Sequence, residues 1–342
     1  MKRACAALLV AIALAATAAP RIADTLPSQY TDAEFWKLVT DFSEPGGQFP
    51  YENFVSNEIS YQDVIPEVNR RTTPGGVYLG VAAEQNFTYI AAIKPKVAFI
   101  FDIRRQNLVE LLMYKALFEM SPSRSEFISR LFSRKLAGVI PTTASATALF
   151  NTSQKVRPDP QLYQETLRAM KDRLMRQHQF QLTADDQRKI EYIFKVFYDG
   201  GPSMDYTYAS AAPNNQMPGF SLLLTRTDSR GENSSFLASE DRYLYIRGLQ
   251  QKNVIIPVVG DFSGPKALKA AGKYLKDHKA AVTVFYVSNV EDYLQSSWYA
   301  YRSNIQALPF EESALFIRFM PRAVTVLRRI QDLPANWPGR SW

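Results

Sequence analysis

Two unbroken apolar runs, VYLGVA from Val77 to Ala82 and VAFIFD from Val97 to Asp102, have strand length and lack polar alternation. That pattern suits strands buried on both faces of a sheet. A Pro74-Gly75-Gly76 turn leads into the first, and a helical stretch separates the two. A further helix is predicted from about Arg105 to Glu119, where Leu108, Leu111, Leu112, Lys115 and Phe118 share one face. Upstream, Thr31-Asp32-Ala33-Glu34 before FWKLVTDF is a capping box, so a short helix is expected, stopping at Pro45-Gly46-Gly47.

From Ser121, with Pro122 at a first-turn position, to about Gln250 the period becomes helical. RSEFISRLFSR, DPQLYQETLRAMKDRLMRQ and TADDQRKIEYIFKVF carry it, the last opened by a Thr183 and Asp186 capping box. GGPSMDYTYASAAPNNQMPGF then reads as an ordered but irregular loop. Residues 120–250 are therefore expected to form a mainly helical insertion. The strand–helix rhythm resumes with the strand NVIIPVVGDF, the helix GPKALKAAGKYLKDH, the strand AVTVFYVSN, the helix VEDYLQSSWYAYRSNI and the strand SALFIRFM. Five strands separated by helices need crossovers, which predicts an α/β fold with a mostly parallel sheet.

The first residues change the expected compartment. MKRACAALLVAIALAATAAP has two cations, an apolar run and small residues near Ala16 to Ala19, the pattern of a secretory signal peptide over residues 1–19. Its apolar core is too short to span a bilayer and no later run is longer, so an exported protein, periplasmic or secreted, with no span in the mature chain is expected. Cys5 precedes the apolar run and leaves with the leader, which removes disulfides and thiol chemistry. Losing Lys2 and Arg3 as well takes the 40 basic residues to 38 against 33 acids, and the net charge from +7 to +5. Those charges are scattered, so no nucleic-acid footprint is expected.

In an open parallel sheet, ligands lie beyond the carboxyl ends of the strands. The polar or small residues there are Gly80, Asp102, Asp261, and Ser288 with Asn289. His178 and His278, the two histidines, lie on Lys- and Arg-rich helices and read as surface residues, so neither a catalytic triad nor a metal site is expected. Arg104 and Arg105 suit either an anionic ligand or a salt bridge. NFVSNE, with Asn53, Ser56, Asn57 and Glu58, suits either a flap over the crevice or an ordinary turn.

These elements meet a known pattern. The chain resembles class I S-adenosylmethionine-dependent methyltransferases, and more closely a bacterial family of unknown function with that Rossmann-like fold. The closer family is marked by GV-x-x-EQNFTYIA, FI-x-DIRR-x-N, YKALFE and SRLFSR, all found between Gly80 and Arg134. The resemblance implies that Gly80, Glu84 and Asn86 belong to the loop beside the methionine part of S-adenosylmethionine. It likewise implies that Asp102 holds the ribose, that Asp261 in Val259-Gly260-Asp261-Phe262 meets the adenine, and that Asn289 lies near the transferred methyl. The chain departs from the methyltransferase motif E/D-x-G-x-G-x-G, which here reads Y-L-G-V-A-A-E: Ala82, Ala83 and Glu84 leave one glycine of the usual three. Three readings follow: an exported protein binding S-adenosylmethionine or a related nucleoside, as a methyltransferase would; a non-catalytic envelope protein whose insertion binds a partner; or a protein binding a different nucleoside or phosphorylated metabolite, with Arg104 or Arg105 on its anion.

Overall fold

The structure, a computed structural model, describes residues 24–136, 140–209 and 217–339; the expected signal peptide lies outside them. After α1 (Asp32–Phe42) and α2 (Ile65–Arg71), β1 (Val77–Val81), α3 (Gln85–Ile93) and β2 (Val97–Asp102) follow as the apolar runs predict. Both strands are buried along their whole length. The chain then passes through α4 (Arg105–Met120), α5 (Arg124–Leu131), α6 (Ala146–Gln154), α7 (Pro160–Asp172), α8 (Ala184–Gly200), α9 (Phe220–Thr225) and α10 (Glu240–Gln251). It closes with β3 (Ile255–Val259), α11 (Ala267–Asp277), β4 (Val282–Ser288), α12 (Trp298–Gln306), β5 (Phe310–Met320) and β6 (Val324–Arg329). The sheet order is β3-β2-β1-β4-β5-β6, parallel except for β6 against β5, a mixed α/β architecture of Rossmann-like type.

Both capping boxes form, at Thr31 with Glu34 and at Thr183 with Asp186. Helix α1 ends at Phe42, three residues before the Pro45-Gly46-Gly47 stop. Helix α4 is buried from Asn107 to Glu119, not on one face alone, because it packs against β2 and β3 and also against α7, α8 and α10. That enclosure explains its internal ion pair: Lys115 Nζ lies 2.7 Å from Glu119 Oε1 and donates to the Gln250 carbonyl at 2.5 Å. His178 closes the same network, with Nε2 2.7 Å from Glu119 Oε2 and Nδ1 2.8 Å from Asp32 Oδ1.

The expected helix VEDYLQSSWYAYRSNI is broken into 3₁₀ turns at Val290–Tyr293 and Gln295–Ser297 before α12. Glu291 is the cause: its carboxylate pairs with Arg318 and accepts from Tyr301 Oη at 2.8 Å, while its carbonyl accepts from Trp337 Nε1. The Glu291 carbonyl is shared between Trp337 and the local Leu294 N–H, which donates to it at 3.3 Å.

Candidate functional site

Strand order reverses between β1 and β4, so the loops leaving their carboxyl ends diverge and open a crevice between them. A cavity of about 710 Å³ fills this position, within the range of small-molecule sites. Its floor is the β1–α3 turn, at Val81, Ala82 and Ala83, and the ends of β2, β3 and β4. Its roof is the segment from Gln48 to Glu58, helped by Tyr206 and Tyr293. Aromatic rings meet around that roof: Phe49 lies edge-on to Tyr293 at 5.5 Å, and Tyr51 approaches Tyr206 at 5.7 Å.

Three lining residues other than glycine, Asn53, Ala82 and Ser288, adopt left-handed backbone with φ of 58°, 63° and 53°. Such conformations cost free energy and persist where surrounding structure over-determines them, as at ligand sites.

Arg104 anchors the roof. Its Nε and Nη2 donate to Asp102 Oδ1 at 2.9 Å and Oδ2 at 2.7 Å, and its backbone N–H donates to Oδ1 at 2.8 Å. The remaining Nη1 donates to the Tyr51 carbonyl at 3.1 Å and to the Glu52 carbonyl. The side chains of both members are 7% exposed. Arg105 makes two 2.9 Å bonds to Asp186 at the start of α8. Each arginine thus makes a salt bridge.

Of the residues singled out from the sequence, Asp102, Arg104, Asp261, Ser288, Asn289 and the possible flap residues Asn53, Ser56, Asn57 and Glu58 line the cavity. Asp261 Oδ1 accepts from Ser263 N–H at 2.7 Å and Oγ at 2.8 Å, which leaves Oδ2 for a ligand. Gly80, Glu84 and Asn86 do not line it; they lie behind the turn. Asn86 is the peg of that turn, donating to the carbonyls of Val81 at 2.8 Å and Ala83 at 2.7 Å and accepting from Tyr78 Oη at 2.8 Å. A Cβ at position 80 would sit 1.9 Å from Asn86 Oδ1. The glycine is required by a buried asparagine rather than by a ligand.

Glu58 carries the most distinctive chemistry and stood in the sequence only as part of a possible flap. It is 1% exposed, lines the cavity, and accepts from Tyr286 Oη at 2.7 Å, from Ser288 Oγ, and from Gln85 Nε2 at 3.1 Å. Burial pushes its carboxyl up to about 7, against the pull of those three donors. Partners 228 residues away in sequence gave no local signal of this cluster.

Glu84 lies next to it, 1% exposed, with Oε1 accepting from Ser56 N–H at 3.4 Å and Oε2 without a partner. Burial pushes its carboxyl to about 7 as well, against the bonds from its own and the Ser56 N–H, with the Glu58 charge adding to the rise. Both groups hold protons in the folded state at pH values where the unfolded chain has released them, so stability falls as pH rises from the ordinary value of 4.5 to about 7. Glu84→Gln is expected to lessen the stability difference between pH 5 and pH 8 by on the order of 2 kcal/mol. Urea unfolding at the two pH values checks this; an unchanged difference would contradict it.

Neither histidine is at the cavity, and no cluster of three His, Cys, Asp or Glu that could hold a metal occurs among the described residues. Nor is any described helix long and apolar enough to cross a membrane.

Fold and crevice together define a Rossmann-like α/β protein with a ligand-sized cleft at its topological switch point. Residues 53–333 match the family described as Domain of unknown function (DUF7790), and the chain belongs to that family. No curated protein matches it. The match includes the acidic crevice residues Glu58, Asp102 and Asp261.

Proposed function

We propose that the crevice binds a neutral or cationic nucleoside of the S-adenosylmethionine class and not a phosphorylated nucleotide. The observation that carries this reading is the charge of the lining. Glu58, Asp102 and Asp261 face a cavity whose one cationic lining residue among those described, Arg104, is spent on Asp102 and two backbone carbonyls. A phosphate entering there meets acids and no free donor cation. An adenine amino group has Asp261 Oδ2 to donate to, and aromatic rings lie at the mouth for a planar base. Ribose recognition through Asp102 is weakened by the bidentate arginine, so the nucleoside is held mainly at its two ends. Export, expected from the leader, belongs to the same proposal and makes released nucleosides the supply, since S-adenosylmethionine is a cytosolic metabolite.

Calorimetric titration of the purified protein with adenosine, S-adenosylhomocysteine and AMP tests this. Adenosine and S-adenosylhomocysteine are expected to bind, with AMP weaker than adenosine by at least about tenfold, or about 1.4 kcal/mol. No heat with either nucleoside at millimolar concentration, or tighter binding of AMP, overturns the reading.

A further inference from the structure

We infer that Glu58 and Glu84 act as a carboxylate pair that selects a ligand bearing an ammonium group and exchanges a proton for it on binding. The inference rests on the nucleoside reading above and names what the non-base end of that ligand must carry. Its basis is a charge that the protein itself leaves unmatched.

Every polar partner of Glu58 is neutral. Tyr286 and Ser288 from β4 and Gln85 from α3 donate to it, and neither Glu58 nor Glu84 joins an ion pair among the described residues. The titratable groups acting on the pair from the surrounding elements are acids or phenols. Glu58 faces Tyr78 on β1, Tyr89 on α3 and Tyr286 on β4. Glu84 faces Glu58, Tyr61 ahead of α2, and Glu110 and Tyr114 on α4. The cation next in line, Arg104, is already bound to Asp102.

Ser56 ties the Glu84 carboxylate to the Glu58 backbone: its N–H donates to Glu84 Oε1 at 3.4 Å, and its Oγ accepts from the Glu58 backbone N–H at 3.1 Å. Behind Glu84, its own Oε2 and Glu110 Oε1 are both buried and unpartnered. Two interacting acids so placed titrate as a unit, and holding a proton offsets the cost of a buried unpaired carboxylate. A ligand ammonium on Glu58 supplies the missing charge directly. The proton then leaves to solvent.

The test uses two nucleosides that differ at this end. S-adenosylhomocysteine carries an ammonium, and 5′-methylthioadenosine does not. Titrations in phosphate and in Tris, whose ionisation heats differ, count protons exchanged at pH 6, 7 and 8. S-adenosylhomocysteine is expected to release a fraction of a proton near pH 7 and to bind at least tenfold more tightly than 5′-methylthioadenosine at pH 8, a preference that shrinks at pH 6. Glu58→Gln is expected to abolish both the release and the preference. Glu84→Gln should keep the preference and move the release to lower pH. Equal affinities of wild type for the two ligands at pH 8, or proton release unchanged in Glu58→Gln, overturn the inference. Should neither nucleoside bind, the nucleoside reading fails while the pair is judged by methylammonium alone. A rise in Tm of wild type that Glu58→Gln lacks supports the pair, and equal responses overturn it.

Discussion

Asp102→Ala is expected to destabilise the protein by about 3–5 kcal/mol, the loss when one member of a buried ion pair is removed and its partner stays behind uncompensated. The position looks like a ligand residue, an acid at the end of β2 facing a crevice, and a ligand role alone would leave the unfolding free energy nearly untouched. The structure gives it different work. Both carboxylate oxygens are engaged by Arg104, whose other arm holds the carbonyls of Tyr51 and Glu52 and so the roof of the cavity. Removing the acid strands a guanidinium in a nearly closed site and loosens the roof with it. Denaturant unfolding measures the first effect, and faster proteolysis between Gln48 and Asn53 measures the second. Asp102→Ala with Arg104→Ala should lose less than the sum of the two single changes, since the second removes the stranded charge. A loss below about 1 kcal/mol, the scale of an exposed pair, would mean that the clamp is unimportant and the carboxylate is available to a ligand.

The sheet was legible in the sequence because its strands are buried on both faces, and burial of that kind leaves an unmistakable apolar run at Val77–Val81 and Val97–Asp102. Strand β6 was not, for the converse reason. Val324 and the two terminal arginines of VTVLRR are exposed, and the hairpin before it turns on Arg322 and Ala323 in left-handed backbone, without the glycine or asparagine that signals such a turn. Helices α6 and α10 escaped notice among polar residues, although serine caps at Ser145 and Ser239 open both. At the site, sequence order pointed to strand ends and so found Asp102, Asp261 and Asn289 at the cavity wall. It named Glu58 only within a possible flap and Ser288 only as a strand end; that the two meet follows only from the fold, when the segment before α2 crosses β4. A motif also says which residues recur together, not which of them face solvent. From EQNFTYIA the sequence singled out Glu84 and Asn86 and passed over Gln85; the fold does the reverse, turning Gln85 toward the cavity and burying the other two behind the turn.

That division makes Asn86→Ala the second large effect. The side chain is fully buried and bonds three groups at once: the carbonyls of Val81 and Ala83 and the hydroxyl of Tyr78, of which the Ala83 carbonyl also accepts from the Asn86 backbone N–H at 3.3 Å and so keeps one partner. Each buried polar group left without a partner costs about 1–3 kcal/mol, and relaxation of a short turn recovers part of the sum, so a loss of roughly 3 kcal/mol is expected. Gly80→Ala alone should also be costly, by about 1–3 kcal/mol, because its methyl meets an Oδ1 that three hydrogen bonds hold in place. The two changes must not add. Once Asn86 is truncated the obstacle at 1.9 Å is gone, and only the ring of Tyr78, 2.8 Å from the new methyl, still has to move. In the Asn86→Ala background Gly80→Ala is therefore expected to cost at least about 1 kcal/mol less than in wild type, measured by urea unfolding of the four proteins. Strict additivity would show that the glycine answers to something other than the asparagine, and a ligand approaching the turn would then be the alternative. If the coupling appears, the single remaining glycine of this loop is explained by the fold's own packing, and the absence of the others places no constraint on what the crevice binds.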